Sequence, residues 1–204
     1  MRGVAVVAYG QAAVAAASEC VRSLRSYHEW PVVVATDTPS AFCSHHTIVY
    51  PDPGFGARRA KLQLYHDLPA DWHAVLYLDA DTLVLGHLDA GAEIIEDGWD
   101  MVIAPSRHQE TSWLWHAAES ERIVTQEVCG RALQWQMGVW FAARNERVAA
   151  LFRRWLAEWE RWGMVDQGAF LRALEDTPVR IWALGGPWNG GAVVQHLFGR
   201  ARSG

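Results

Sequence analysis

Val75-Leu76-Tyr77-Leu78-Asp79-Ala80-Asp81-Thr82-Leu83-Val84-Leu85 is the stretch whose reading decides the fold. An apolar run of strand character ends in two carboxylates one residue apart. On extended backbone, side chains at i and i+2 point the same way, so Asp79 and Asp81 are expected to converge at the end of a buried strand. Two like charges that close are costly to bury unless a cation or a basic group neutralises them. Oxygen ligands at this density suit Mg2+ or Mn2+, ions that stay partly hydrated and are completed by substrate phosphates. Aspartates at strand ends also start turns and cap helices, so the pair needs its context.

Outward from that stretch, strand-like and helix-like segments alternate, which predicts an α/β fold. Residues 4–9, 32–35, 45–50, 74–78, 101–104, 139–142, 179–184 and 193–196 read as strands. Residues 12–26, 56–68, 88–96, 146–162 and 167–175 read as helices, and 106–134 as irregular. Helix 146–162 is the clearest, with Val148, Leu151, Phe152, Trp155, Leu156 and Trp159 on one side and Gly163 suited to end it. Open α/β sheets bind ligands beyond the carboxyl ends of their strands. Asp37, Asp79 and Asp81 fall at such ends, and His196 closes the last strand.

Half of the 204 residues are hydrophobic, enough for a sizeable core in a single domain. The formal net charge of −5 disfavours broad nucleic-acid binding, though a local basic patch stays open. Cys20, Cys43 and Cys129 are widely spaced and form no zinc or disulfide framework, which fits a reducing, cytoplasmic setting. No apolar run reaches the length of a membrane span, and no signal-peptide pattern opens the chain. The 12 tryptophans favour carbohydrate contact, although Trp113, Trp115 and Trp135 read individually as core.

Three further motifs join the carboxylate pair. Gln136-Met137-Gly138-Val139-Trp140 reads as a turn into a strand. Asp166-Gln167-Gly168-Ala169-Phe170 opens a helix with polar residues. His196-Leu197-Phe198-Gly199-Arg200-Ala201-Arg202 combines a metal-type ligand, a glycine that lets backbone approach a phosphate, and a cation. In this order the motifs resemble the GT-A nucleotide-sugar glycosyltransferases, particularly family 8, which contains glycogenin and bacterial lipooligosaccharide galactosyltransferases. The likeness runs over roughly residues 4–202.

The resemblance implies one Rossmann-like GT-A domain over residues 1–204, with a mixed central sheet flanked by helices. It implies a divalent metal held by Asp79, Asp81 and His196, the histidine favouring Mn2+ over Mg2+. Ala8, Tyr9, Gly10 and Asp37 would border the nucleoside. Lys61, the sole lysine, would approach the donor with Ala80 and Gly138. Gly199 and Arg202 would contact diphosphate, and Asp166 and Gln167 would line the transferred sugar and the reaction centre. The implied partners are a nucleoside-diphosphate sugar, with UDP favoured, and a saccharide or glycoconjugate acceptor facing residues 106–135; retention at the anomeric carbon is expected. Gln136 stands where the family has Asn, and Arg202 where it has Lys. The sequence stops soon after Arg202, so no basic or amphipathic membrane tail is expected.

Each residue also has a plainer reading. Lys61 can be a solvated helix residue, His196 a strand cap, Asp166 an N-cap, Gly138 a turn glycine and Asp37 a turn residue; His108 and His116 take no role. Two rival functions stand beside the transferase. A nucleotidyltransferase would show a Gly-rich basic loop after the first strand, which Tyr9-Gly10-Gln11-Ala12 is not. A non-catalytic sugar- or nucleotide-binding protein would have little use for a metal site.

Overall fold

The computed structural model describes residues 1–107, 109, 117–188 and 190–197. Readings placed on His108, Trp113, Trp115, His116, Gly199 and Arg202 lie outside the described residues. In chain order the elements are β1 (Arg2–Ala8), α1 (Gln11–Arg25), β2 (Val32–Thr36), β3 (His46–Ile48), α2 (Arg58–Asp67), β4 (Ala74–Asp79), β5 (Thr82–Val84) and α3 (Asp89–Glu96). They continue with β6 (Met101–Pro105), α4 (Glu119–Cys129), β7 (Trp135–Ala143), α5 (Glu146–Trp162), α6 (Asp166–Asp176), β8 (Ile181–Ala183) and β9 (Val194–His196).

The near-continuous apolar runs of β1, β2 and β4 give strands buried on both faces, as parallel sheet strands are. The main sheet has seven strands in the order β3-β2-β1-β4-β7-β6-β8. Strands β3, β2, β1 and β4 run parallel; β7 runs antiparallel to both β4 and β6. The sheet is therefore mixed, as expected. From β1 the chain moves to β2 and β3 on one side, then returns to place β4 on the other. That reversal between β1 and β4 is the switch point where such sheets open a ligand crevice.

Aromatic rings run through the core. Tyr77 stacks on Trp140 at 4.9 Å, Trp140 meets Phe152 at 5.2 Å, Phe152 meets Trp155 at 5.3 Å, and Trp155 meets Phe170 at 4.7 Å. Pairs of this kind contribute about 0.5–1.5 kcal/mol each beyond the area they bury. Helix α5 is held at both ends, its Gly163 end as the sequence predicts. The Asn145 side chain accepts from the Val148 N–H at 2.9 Å, and Gly163 takes the left-handed conformation at φ 75°.

Three expectations are corrected. The stretch 106–134 contains α4, whose inward residues are Glu121, Thr125 and Cys129, at i, i+4 and i+8. A polar inward stripe leaves no apolar periodicity to read. Second, Gln136, Met137 and Gly138 lie within β7, which starts at Trp135, and do not form a turn before it. Third, β9 is outside the main sheet: it pairs antiparallel with β5 in a two-stranded ribbon, with Thr82 opposite His196. Among the described residues no helix is long and apolar enough to cross a membrane.

Candidate metal and sugar-nucleotide site

A cleft of about 820 Å3 opens at the switch point. Its walls come from the carboxyl ends of β1 and β4, the first residues of β7, the segment leading into α2, the first turn of α6 and the end of β9. Tyr9, Gly10, Lys61, Asp79, Ala80, Asp81, Gly138, Asp166, Gln167 and His196 all line it. Ala8 does not. It is fully buried in the core, because alternate residues of β1 face opposite sides and Val7 takes the cleft side. Asp37 accepts from the Gly10 N–H at 2.9 Å, tying the loop after β2 to the rim at Gly10. None of the described residues lining the cleft is a tryptophan; Trp72, Trp140, Trp155 and Trp159 are buried core.

Asp79 ends β4, and Asp81 lies in the tight turn between β4 and β5. Their convergence comes from that turn and not from strand pleat. The Thr82 hydroxyl donates to the Asp79 carbonyl at 2.8 Å and closes it. The ribbon then brings His196 across: Nε2 is 3.2 Å from Asp81 Oδ1 and 3.7 Å from Asp79 Oδ2. One ligand atom from each of the three residues lies within 4.8 Å of the others. Gly138 makes the room. A Cβ there would sit 2.3 Å from His196 Cε1 and 2.6 Å from Asp79 Oδ2. Two carboxylates and an imidazole around a space cleared by a glycine fit a divalent cation, and the nitrogen donor suits Mn2+.

Behind the carboxylates stands a buried ion cluster. Lys61 is 5% exposed. Its Nζ donates to the Met137 carbonyl at 2.6 Å and to Asp166 Oδ2 at 2.9 Å, and lies 3.5 Å from Asp79 Oδ1. It is therefore no solvated helix residue. Its three protons face protein groups, so it links the metal-type carboxylate to the carboxylate of α6. Asp166 is the first residue of α6; Val165 is the N-cap and no side chain caps the helix. The Asp166 carboxylate is turned instead to Lys61 and to Arg58 Nε at 3.4 Å. Burial pushes its pKa up, but Lys61 and Arg58 outweigh burial and hold it below the ordinary carboxylate value. The Trp155 indole donates to the Asp166 carbonyl at 2.7 Å, and the Tyr77 hydroxyl donates to Asp79 Oδ1 at 2.9 Å. Burial, then the Asp79 charge, raises the Tyr77 pKa well above its ordinary value, so the phenol stays a donor.

Sequence reasoning missed Arg58, Tyr77 and the side-chain partner of Gln136. Arg58 had a readable signal: it is three residues before Lys61, so both share one face of α2. Tyr77 lies inside the quoted motif but reads as one more apolar strand residue.

Among solved structures, the chain is similar to apo mouse xyloside xylosyltransferase 1, with a TM-score of 0.60 at 11% identity over 93% of this chain and 87% of that one. It is also similar to the apo WbbM bifunctional glycosyltransferase, with a TM-score of 0.62 at 13% identity over 93% of this chain. The match spans 40% of the WbbM chain. No protein-family model matches the sequence, and no curated protein does. At such identity the likeness establishes the fold: a mixed α/β domain of the GT-A kind, shared with these structures.

Proposed function

We propose that this protein is a metal-dependent glycosyltransferase of family-8 type. It moves a sugar from a nucleoside-diphosphate sugar, with UDP the favoured nucleotide, to a hydroxyl of a saccharide or glycoconjugate, with retention. The observation that carries this reading is the convergence of Asp79, Asp81 and His196 beside the Lys61–Asp166 pair, in the crevice of a GT-A-type sheet. Asp79, Asp81 and His196 would hold Mn2+ in preference to Mg2+. When bound, the ion supplies Lewis-acid neutralisation of the leaving diphosphate.

The chain's own residues divide the remaining work. Tyr9, Gly10 and Asp37 border the nucleoside end, and Gly199 and Arg202 are assigned to the diphosphate by resemblance. Lys61 holds the Asp79 and Asp166 carboxylates in place and, with Arg58, keeps Asp166 ionised. An Asp166 carboxylate shared between Lys61 and Arg58 is a weak base and a weak nucleophile. Its position suits orienting the sugar with Gln167 and stabilising positive charge at the reacting carbon. That supports a front-side route in which the leaving phosphate helps take the acceptor proton.

The test is calorimetric titration with UDP, GDP, CDP and ADP, each with Mn2+ and with EDTA. Tight binding of one nucleotide in Mn2+ alone is the expected result. Metal-independent binding, or none, removes the transferase reading. Once a donor is known, Asp166→Asn should lower turnover about 100-fold or more while changing donor affinity little. Equal losses in both would make Asp166 a binding or structural residue.

A further inference from the structure

Gln136 occupies the position where the resembled pattern has Asn, and its carboxamide sits between two groups of the site. Oε1 accepts from the Gly138 N–H at 2.8 Å, and Nε2 lies 2.8 Å from His196 Nδ1. A backbone N–H can only donate, so the carboxamide oxygen must face Gly138. The nitrogen left for His196 offers only donors. The contact is a hydrogen bond only if Nδ1 accepts, which in a neutral imidazole puts the proton on Nε2. That nitrogen faces Asp81 Oδ1 at 3.2 Å. Gly138, Gln136, His196 and Asp81 thus form one run of hydrogen bonds, with both middle side chains buried.

A cation between the carboxylates needs the Nε2 lone pair, where this run places a proton. Metal-binding histidines ordinarily donate from their other nitrogen to an oxygen, which fixes the ligating tautomer. Gln136 presents the opposite polarity. We propose that Gln136 is a positioning residue that holds His196 in the non-ligating tautomer, so that cation binding requires its carboxamide to turn. This rests on reading Asp79, Asp81 and His196 as cation ligands. On turning, Oε1 leaves Gly138 and accepts from Nδ1–H. The proton leaves Nε2 for water and Nδ1 takes one from water, so the exchange balances. The turn lowers the affinity of the site for a bare ion, and favours loading together with diphosphate oxygens that add ligands. Glutamate at this position would accept from both Gly138 and Nδ1–H without any turn.

The experiment uses the full chain as wild type, Gln136→Glu and Gln136→Met. Long-range 1H–15N spectra of the metal-free proteins report the His196 tautomer, and Mn2+ alone is titrated by electron paramagnetic resonance. Wild type should carry no proton on Nδ1 and Gln136→Glu should carry one, with Mn2+ bound about tenfold or more tightly in the latter. Gln136→Met, which removes the carboxamide from Nδ1 without adding charge, should show an intermediate Kd. An Nδ1 proton in wild type overturns the proposal, and this measurement needs no variant to fold. Equal Kd values in wild type and Gln136→Glu also overturn it. So does a Gln136→Met protein no tighter than wild type, because the glutamate gain would then be charge alone. If these results hold while no nucleotide binds with Mn2+, the transferase reading fails and the role of Gln136 stands.

Discussion

Two groups of side chains among the described residues bring His and Asp ligand atoms within 4.8 Å of one another: Asp79, Asp81 and His196 in the cleft, and His28, His87 and Asp89 at the start of α3. By proximity they are equals. Their second nitrogens separate them. In the α3 group, the Leu88 N–H donates to His28 Nε2 at 2.8 Å, so a neutral ring carries its proton on Nδ1, the atom that faces Asp89. In the cleft group the locking donor is the Gln136 carboxamide. A backbone donor inside a folded segment cannot be reversed, whereas a carboxamide can turn. The other carboxylate oxygen of Asp89 is also engaged by Arg2 at 2.6 Å. Closeness of ligand atoms is therefore a poor guide to metal binding until the proton on each imidazole is placed.

The contrast is most directly broken by Asp81→Ala against Asp89→Ala. The first should abolish Mn2+-dependent nucleotide binding with the far-UV spectrum unchanged; the second should leave that binding intact. Normal UDP affinity with Mn2+ in the Asp81 variant would remove the metal assignment. Next comes the support behind each group. Lys61→Met leaves Asp79 and Asp166 without their buried cation and should destabilise the fold by about 3–5 kcal/mol in denaturant titrations. Arg2→Met removes partly exposed pairs with Asp89 and Glu96 and should cost only about 0–1 kcal/mol for each. Similar losses in both would dissolve the distinction between the two settings.

A smaller effect is expected from Gly138→Ala, whose methyl group meets His196 and Asp79. Mn2+ affinity should fall about tenfold or more with secondary structure retained, and an unchanged Kd would mean that the ligand set relaxes freely. The smallest effect concerns pH. Burial, more than the charges of His87 and Arg2, lowers the His28 pKa below its ordinary value of 6.5. The unfolded chain then binds this proton more readily than the folded one. Stability is full above about pH 6.5 and falls as pH drops toward the folded value. His45 and His66 are shifted the same way by burial, so His28→Asn should flatten this slope without removing it. A slope identical to wild type would show that folding does not lower the His28 pKa.

Much of the site was legible because its residues sit at ends of elements that the sequence marks strongly. Asp79 closes an apolar run, Asp166 opens a helix after Gly163, and Lys61 is unique. What escaped reading was relational. Nothing local shows that Lys61 would be spent on Asp166 across 105 residues, or that Gln136 would reach His196 across 60. Helix α4 stayed hidden because Glu121 and Thr125 face Arg172 in a buried polar cluster, where an apolar stripe would have announced a helix. Strand β5, three residues long, is too short for alternation to register, and although 193–196 read as a strand, nothing local showed that it would pair with β5.

That ribbon gives the site a place in the order of folding. The main sheet does not include β9, whereas the third ligand, the His196 imidazole, arrives only when residues 82 and 196 have found each other. Three residue pairs with no further strand beside them among the described residues are the kind of unit that opens ahead of the rest, and its amides should exchange early. A ligand that bridges His196 to the end of β4 would act as a clasp on the last segment to dock. At a hundredfold excess over its Kd it would hold that segment closed by about 2.7 kcal/mol, so occupancy of the cleft should be readable as slowed hydrogen exchange at Val84 and Val194, at the far end of the ribbon from the imidazole.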